Sequence, residues 1–169
     1  DHKTTLIKIV EIENVLKTIA FNKGTVVHTS GTTPMDIFKG YVKNYGVLYP
    51  LQTFSKSKVI SNFADIPVFI EASDSKILSI VGEVAKQLSN EVFEINSEQR
   101  LALHVSAVFA CNFVNHLLAL GTDIMQENSL DKNWLIPLVN ETVSKAIEAQ
   151  NPKDVQTGPA VRDDKLTLN

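Results

Sequence analysis

Between Leu101 and Leu120 the sequence sets side chains capable of hydrogen bonding and, at the histidines, of acid–base chemistry among residues that are otherwise apolar: His104, Ser106, Asn112, Asn115 and His116. The stretch is apolar nearly all round, which predicts a helix buried on most sides. At about 100° per residue, His104, Cys111 and Asn115 fall on one narrow stripe, with Asn112 beside it and His116 further round. A buried amide or imidazole without partners costs on the order of 1–3 kcal/mol, so protein, water or ligand must satisfy such groups. Two readings stay open. One is a polar seam tying helices together, for instance at a subunit interface. The other is a wall of a ligand pocket, with His104 and Asn115 pointing in. In the second, His104 is the expected general acid, because an unperturbed imidazole titrates near neutrality. Asn115 and Asn112 are the expected partners that orient the substrate.

Other chemistries fit less well. His104 and His116 stand about 120° apart round a helix, and no carboxylate or second cysteine completes a ligand set, so no metal site is expected. Cys111 on a buried helix is expected to be an inert packing residue. Ser30 has no Asp–His arrangement beside it in sequence, which argues against a serine hydrolase. Arg162 follows a Thr-Gly-Pro turn and could clamp a phosphate or carboxylate in bidentate fashion. It could equally pair with Asp163, Asp164 or a neighbouring subunit. Glu141 and Lys145 have the i,i+4 spacing of a surface ion pair, the alternative being that Lys145 faces the cleft.

The elements that must hold these residues change character along the chain. Leu6 to Phe21 has helical apolar spacing, with Gly24 as a plausible stop. Thr25 to Thr29 reads as a short buried strand ending in Ser30-Gly31. Pro34 opens a further helix to about Val42. Gly46 to Tyr49 is a second strand halted by Pro50, and Ile66 to Ile70 a third, with Pro67 tolerated near its start. Asp74 or Ser75 caps a helix through Leu88, and Val92 to Ile95 is a fourth strand. This alternation predicts an α/β layer. From Ser97 onward no strand signal is found, and Trp134 to Ala149 reads as a helix with Pro137 near its first turn. The expected fold is therefore α/β followed by all-α, divided near residue 96 into 1–96 and 97–169.

The bulk properties are those of an ordinary globular chain. Its 169 residues are 44% hydrophobic and 21% charged, with a net charge of −3, enough to bury roughly 70% of the unfolded surface without staples. No basic stripe advertises nucleic acid or anionic lipid. One cysteine permits no intramolecular disulfide. No run of about 18 residues is free of polar interruptions, so no membrane span is expected. The first residues lack the apolar core of a signal peptide, and a cytoplasmic location is expected. The absence of an initiator Met is what an excised piece of something longer would show.

An ordered set of motifs makes the sequence similar to a known family. It comprises Val27-His28-Thr29-Ser30-Gly31, Gly46 to Ser55 (with Tyr49-Pro50-Leu51-Gln52-Thr53), Ile66 to Ala72, and Ser97-Glu98-Gln99-Arg100. His104, Ala107 to Phe113, Asn115-His116 and Gln156 to Asp164 continue it. From about residue 25 to the end, the chain resembles the Rossmann-like, DUF2520 domain-containing family. The resemblance implies a partial Rossmann-like layer followed by a helical domain like the C-terminal domain of 6-phosphogluconate dehydrogenase. It also implies an oxidoreductase using NADP or NAD, built like pyrroline-5-carboxylate reductase and prephenate dehydrogenase.

On that reading His28, Ser30, Gly31, Tyr49, Pro50, Gln52 and Thr53 line the cofactor side, at the strand ends where ligands of open α/β sheets gather. Gln156, Thr157, Gly158 and Arg162 hold an anionic group of a small-molecule substrate, and the helical region forms a homodimer. Two features depart from the pattern. The seven glycines, at 24, 31, 40, 46, 82, 121 and 158, contain no Gly-x-Gly pair, so no glycine-rich turn brings backbone amides to a pyrophosphate. The lysine that related dehydrogenases place four residues before a helix asparagine is replaced by Val108 or Cys111. These departures keep a second reading open, a non-catalytic binding or dimerisation module.

Overall fold

The structure is a computed structural model that describes residues 12–18, 24–54 and 62–158. It divides into two compact units, residues 1–112 and 113–169.

In the first unit, α1 (Ile12–Thr18) precedes β1 (Val26–His28), β2 (Tyr45–Pro50), β3 (Val68–Ala72), α2 (Ser75–Leu88), β4 (Val92–Glu94) and α3 (Ser97–Ala107). The four strands form one sheet in the order β1-β2-β3-β4. The outer pairs are parallel and the central pair, β2 with β3, is antiparallel. The register sorts the side chains by face, since residues paired across neighbouring strands share one. Leu48 pairs with Ile70 and Pro50 with Val68. These lie over α2, whose Ile77, Val81 and Ala85 close one hydrophobic core with Leu48, Val68 and Ile70. The other face carries Val47 opposite Glu71 and Tyr49 opposite Phe69, and α3 contributes to that face. A smaller core joins Ile12 and Leu16 of α1 to Phe38.

Sequence chemistry sets the helix starts. Asp74 accepts the Ile77 N–H at 2.9 Å, capping α2. Asn96 and Gln99 form a reciprocal capping box at α3. The helix expected from Pro34 to Val42 is only one 3-10 turn, Met35–Phe38. Phe38 is drawn into the core, and Gly40 takes φ +82°, a left-handed backbone that ends any helical run. Of the helix expected from Leu6 to Phe21, residues 6–11 and 19–21 lie outside the described residues.

After α3, a π-helical segment (Val108–Phe113) leads into α4 (Val114–Glu127). In the second unit, a 3-10 turn (Lys132–Trp134) precedes α5 (Leu135–Glu148), and Pro152–Val155 forms a last turn. The expected helix from Trp134 is α5, with Pro137 in its first turn. A Cβ added to Gly121 of α4 would stand 3.8 Å from Leu135 of α5, so the two helices touch there. Every described element beyond residue 96 is helical.

The expectation that Leu101 to Leu120 is buried on most sides is not met. All residues from Phe109 to Leu120 are exposed within this chain, Phe109 at 62% and Leu117 at 64%. Cys111, expected as a packing residue, is exposed too. All-round hydrophobicity states that a surface needs cover; it does not state that the same chain supplies it. The run Ser97–Glu127, 31 residues, is long and apolar enough by length and composition to cross a membrane. The sequence expectation of no span counted its polar residues as interruptions, which an average over the window does not.

Candidate functional site

Arg100 is 1% exposed, and its guanidinium gathers three pieces of the first unit. Nη1 is paired with the Glu71 carboxylate at the carboxyl end of β3. Nε donates to the Ser30 carbonyl at 3.2 Å, and Nη2 donates to the Thr33 carbonyl at 2.6 Å. Ser97 completes the knot: its hydroxyl donates to Glu71 at 2.8 Å and accepts the Met35 N–H at 3.0 Å. A buried charge is tolerated only when paired and hydrogen-bonded. The turn after β1, the end of β3 and the first turn of α3 are thereby held together.

That knot seats His104 one turn further along α3. Tyr49, 8% exposed, meets His104 Nδ1 through its hydroxyl at 2.9 Å, with the rings edge to face at 6.0 Å. The imidazole lies directly on Gly31, where an added Cβ would stand 2.3 Å from Nδ1. Glycine at position 31 is therefore what lets the ring in. Burial pushes the Tyr49 hydroxyl above its ordinary value, partly opposed by Arg100. His104 Nε2 has no hydrogen bond among the described residues and is not sealed from solvent.

His28 and Ser30 are consumed locally. Ser30 is fully buried, and its hydroxyl accepts the Thr32 and Thr33 N–H groups and donates to Thr33 Oγ1 at 2.8 Å. His28 Nδ1 accepts the Ser30 N–H at 3.2 Å, so the ring is neutral with its hydrogen on Nε2. It stacks on Phe38 at 5.4 Å. Burial, then the nearby Arg100 charge, lowers its pKa to about 4, against a smaller opposing effect of the Pro34 carbonyl. That carbonyl lies near the ring, yet Nε2 makes no well-formed hydrogen bond. Burial is the dominant fact for this residue.

The remaining sequence candidates are scattered. Pro50 is half-buried, while Gln52 and Thr53 are exposed just past β2, the Gln52 side chain accepting the Thr53 N–H at 2.8 Å. Asn112, Asn115 and His116 are exposed, so the cost of burying them does not arise within this chain. The α-helical spacing that put His104 and Asn115 on one stripe does not hold through Val108–Phe113, because π-type i→i+5 bonding takes more residues per turn. Gln156 and Thr157 are exposed, and Gly158 takes φ +111°. Arg162 lies outside the described residues. Glu141 and Lys145 form an exposed pair at 2.8 Å, as their spacing suggests. No group of three or more potential metal ligands occurs among the described residues.

Glu71, Ser97 and Arg100 were not singled out as site residues from the sequence. Glu71 gave a signal: it interrupts the apolar strand Val68–Ala72, where a carboxylate needs a partner. Glu71 also edges a shallow groove with Ala72, Glu94, Ile95, Asn96 and Gln99. There the Asn96 and Gln99 side chains serve the α3 cap and Glu71 is engaged by Arg100, so the chemistry is centred on Tyr49 and His104 instead.

Residues 66–169 match the family described as "Domain of unknown function (DUF2520)". Among solved structures, the "putative NADP oxidoreductase" of Bacteroides fragilis is 41% identical with a TM-score of 0.86, over 96% of this chain and 63% of that one. A protein of Thermotoga maritima is 26% identical with a TM-score of 0.71, over 99% of this chain and 68% of that one. The pyrroline carboxylate reductase of Plasmodium falciparum, solved with NADP bound, is 14% identical with a TM-score of 0.57, over 95% of this chain and 69% of that one. At that identity the likeness is one of fold, a partial Rossmann-like layer followed by a helical region. No curated protein matches the chain. The chain spans 63% of the length of the Bacteroides protein.

Proposed function

The chain belongs to the DUF2520 family, and from that premise we propose that it forms the substrate side of an NADP-dependent oxidoreductase. The reaction is hydride exchange between the nicotinamide and a small carbonyl compound, imine or hydroxy acid. One observation carries the reading: a half-buried histidine whose Nδ1 is held at 2.9 Å by Tyr49, whose ring rests on Gly31, and whose Nε2 has no partner among the described residues. That is how a fold presents a fixed hydrogen-bond donor to a ligand. The relative from Bacteroides fragilis supports the cofactor class.

The nicotinamide, when bound, supplies or accepts the hydride. The residues present do not make a pyrophosphate cradle: no Gly-x-Gly pair exists, and the N–H groups of Thr32 and Thr33 are spent on Ser30. Of the residues expected to line the cofactor, His28, Ser30 and Gly31 are buried, and Gly31 forms the floor under His104. Tyr49 orients that histidine, and Gln52 and Thr53 are left to meet a ligand directly. Asn112, in the same unit as His104, is assigned as a further substrate contact.

The test is fluorescence titration with NADPH and NADH, on the chain with any residues encoded ahead of Asp1, followed by turnover of His104→Ala. We expect NADPH binding and a loss of turnover on the order of 100-fold, with unfolding free energy little changed. Equal loss of activity and stability would leave His104 a structural residue.

A second reading, a non-catalytic dimerisation module, is favoured by the second unit. Leu117, Ile124, Trp134, Leu138 and Ile147 are 61–78% exposed. Surfaces of that kind mark association sites. A homodimer through the helical region is part of both readings.

A further inference from the structure

We propose that Tyr49 is a positioning residue that fixes His104 as a neutral donor with its hydrogen on Nε2, and that the substrate group facing it is a carbonyl oxygen. The substrate half rests on the oxidoreductase reading; the tautomer half rests on this geometry alone.

A hydrogen bond between a phenol and an imidazole nitrogen has a preferred direction. The phenolic O–H is a good donor and its oxygen a poor acceptor, whereas an unprotonated ring nitrogen is a good acceptor. The 2.9 Å contact is the only hydrogen bond of the Tyr49 hydroxyl among the described residues. A donating Tyr49 therefore puts the lone pair on Nδ1 and the hydrogen on Nε2. Burial keeps the phenol protonated, hence a donor. Two further contacts fix the ring in that pose. Its edge-to-face packing on Tyr49 sets the plane, and Gly31 forms a floor that no residue with a Cβ could provide without moving it. The Arg100–Glu71–Ser97 knot anchors both Gly31 and α3. This is the arrangement by which the partner of one ring nitrogen decides what the other offers.

A fixed Nε2–H discriminates among substrates by hydrogen-bond type. A carbonyl oxygen offers lone pairs to it. A protonated imine carries its own N–H and offers none, so the two donors would oppose each other. Tyr49 and Gly31, which from sequence alone were assigned to the cofactor side, act here through His104 on the substrate side.

The experiment is a nitrogen-15 two-bond correlation spectrum of the imidazoles, recorded on the chain without cofactor and assigned with His104→Gln. We expect His104 Nδ1 at the unprotonated, pyridine-type position and Nε2 at the protonated, pyrrole-type position. In Tyr49→Phe both resonances shift toward the average of two exchanging tautomers. A proton on Nδ1 in the wild type, or an unchanged spectrum in Tyr49→Phe, overturns the assignment. If Tyr49→Phe does not fold, the wild-type Nδ1 position decides. For the substrate half, NADPH consumption is compared for 2-oxo acids and cyclic imines, with kcat/KM expected at least tenfold higher for the carbonyl class; the reverse order overturns it. Failure of NADPH binding with the expected tautomer present would instead sink the oxidoreductase reading and spare the Tyr49 assignment.

Discussion

At neutral pH the His28 ring carries no charge, because burial beside Arg100 lowers its pKa to about 4. In the unfolded chain the same group titrates at about 6.5. Above 6.5 both states are neutral and pH is without effect. Between 6.5 and 4 the unfolded chain takes up a proton that the folded chain refuses, so stability falls as the pH falls. Below 4 both are protonated and the loss is complete, at about 3 kcal/mol. We expect wild type to lose that much relative to His28→Gln between pH 7 and pH 4, measured by urea unfolding of both proteins. Parallel stability curves would mean that His28 is not held neutral. His28, Tyr49 and His104 were all legible as candidates in the sequence. Their division of labour was not: the pairing of Tyr49 with His104 joins residues 55 positions apart, and no local spacing encodes it.

Among the elements, α3 depends most on a few polar contacts for its place. Among the described residues Glu71 alone neutralises Arg100, and Ser97 bridges both to the turn after β1. Glu71→Gln strands a buried guanidinium, and we expect a loss of about 3 kcal/mol in urea unfolding. Asp36→Asn, which breaks the exposed Lys39 pair, serves as the control and should cost no more than about 0.5 kcal/mol. Equal effects would show that the Glu71 pair is no more than a surface contact. The strands and α2 were readable because short apolar runs punctuated by glycine and proline, and the Asp74 cap, are local signals. The helix expected after Pro34 was not realised, because burial of Phe38 and the backbone of Gly40 outweighed helical spacing.

Across the whole molecule, the missing burial lies in the helical region. Leu117 and Ile124 sit seven residues apart on one face of α4, 64% and 61% exposed. We expect sedimentation equilibrium to give a dimer, and Leu117→Glu with Ile124→Glu to give a monomer that is still helical by circular dichroism. A wild-type monomer at tens of micromolar would remove the dimer from both functional readings. Obligate interfaces resemble a core cut in half, so a dimer would supply the burial that the all-round apolar sequence predicted and this chain alone does not provide.

What the sequence determined by itself was the order of the strands, of α2 and of the helices that follow, the family, and the absence of a glycine-rich turn. Each is written in short-range pattern: alternation, caps, and ordered motifs. Only the tertiary structure decided that β2 and β3 run antiparallel, that Arg100 is buried against Glu71, and that His104 rests on Gly31 under Tyr49. Those facts depend on which distant residues share a face and how closely backbones approach. Chain periodicity carries no information on either.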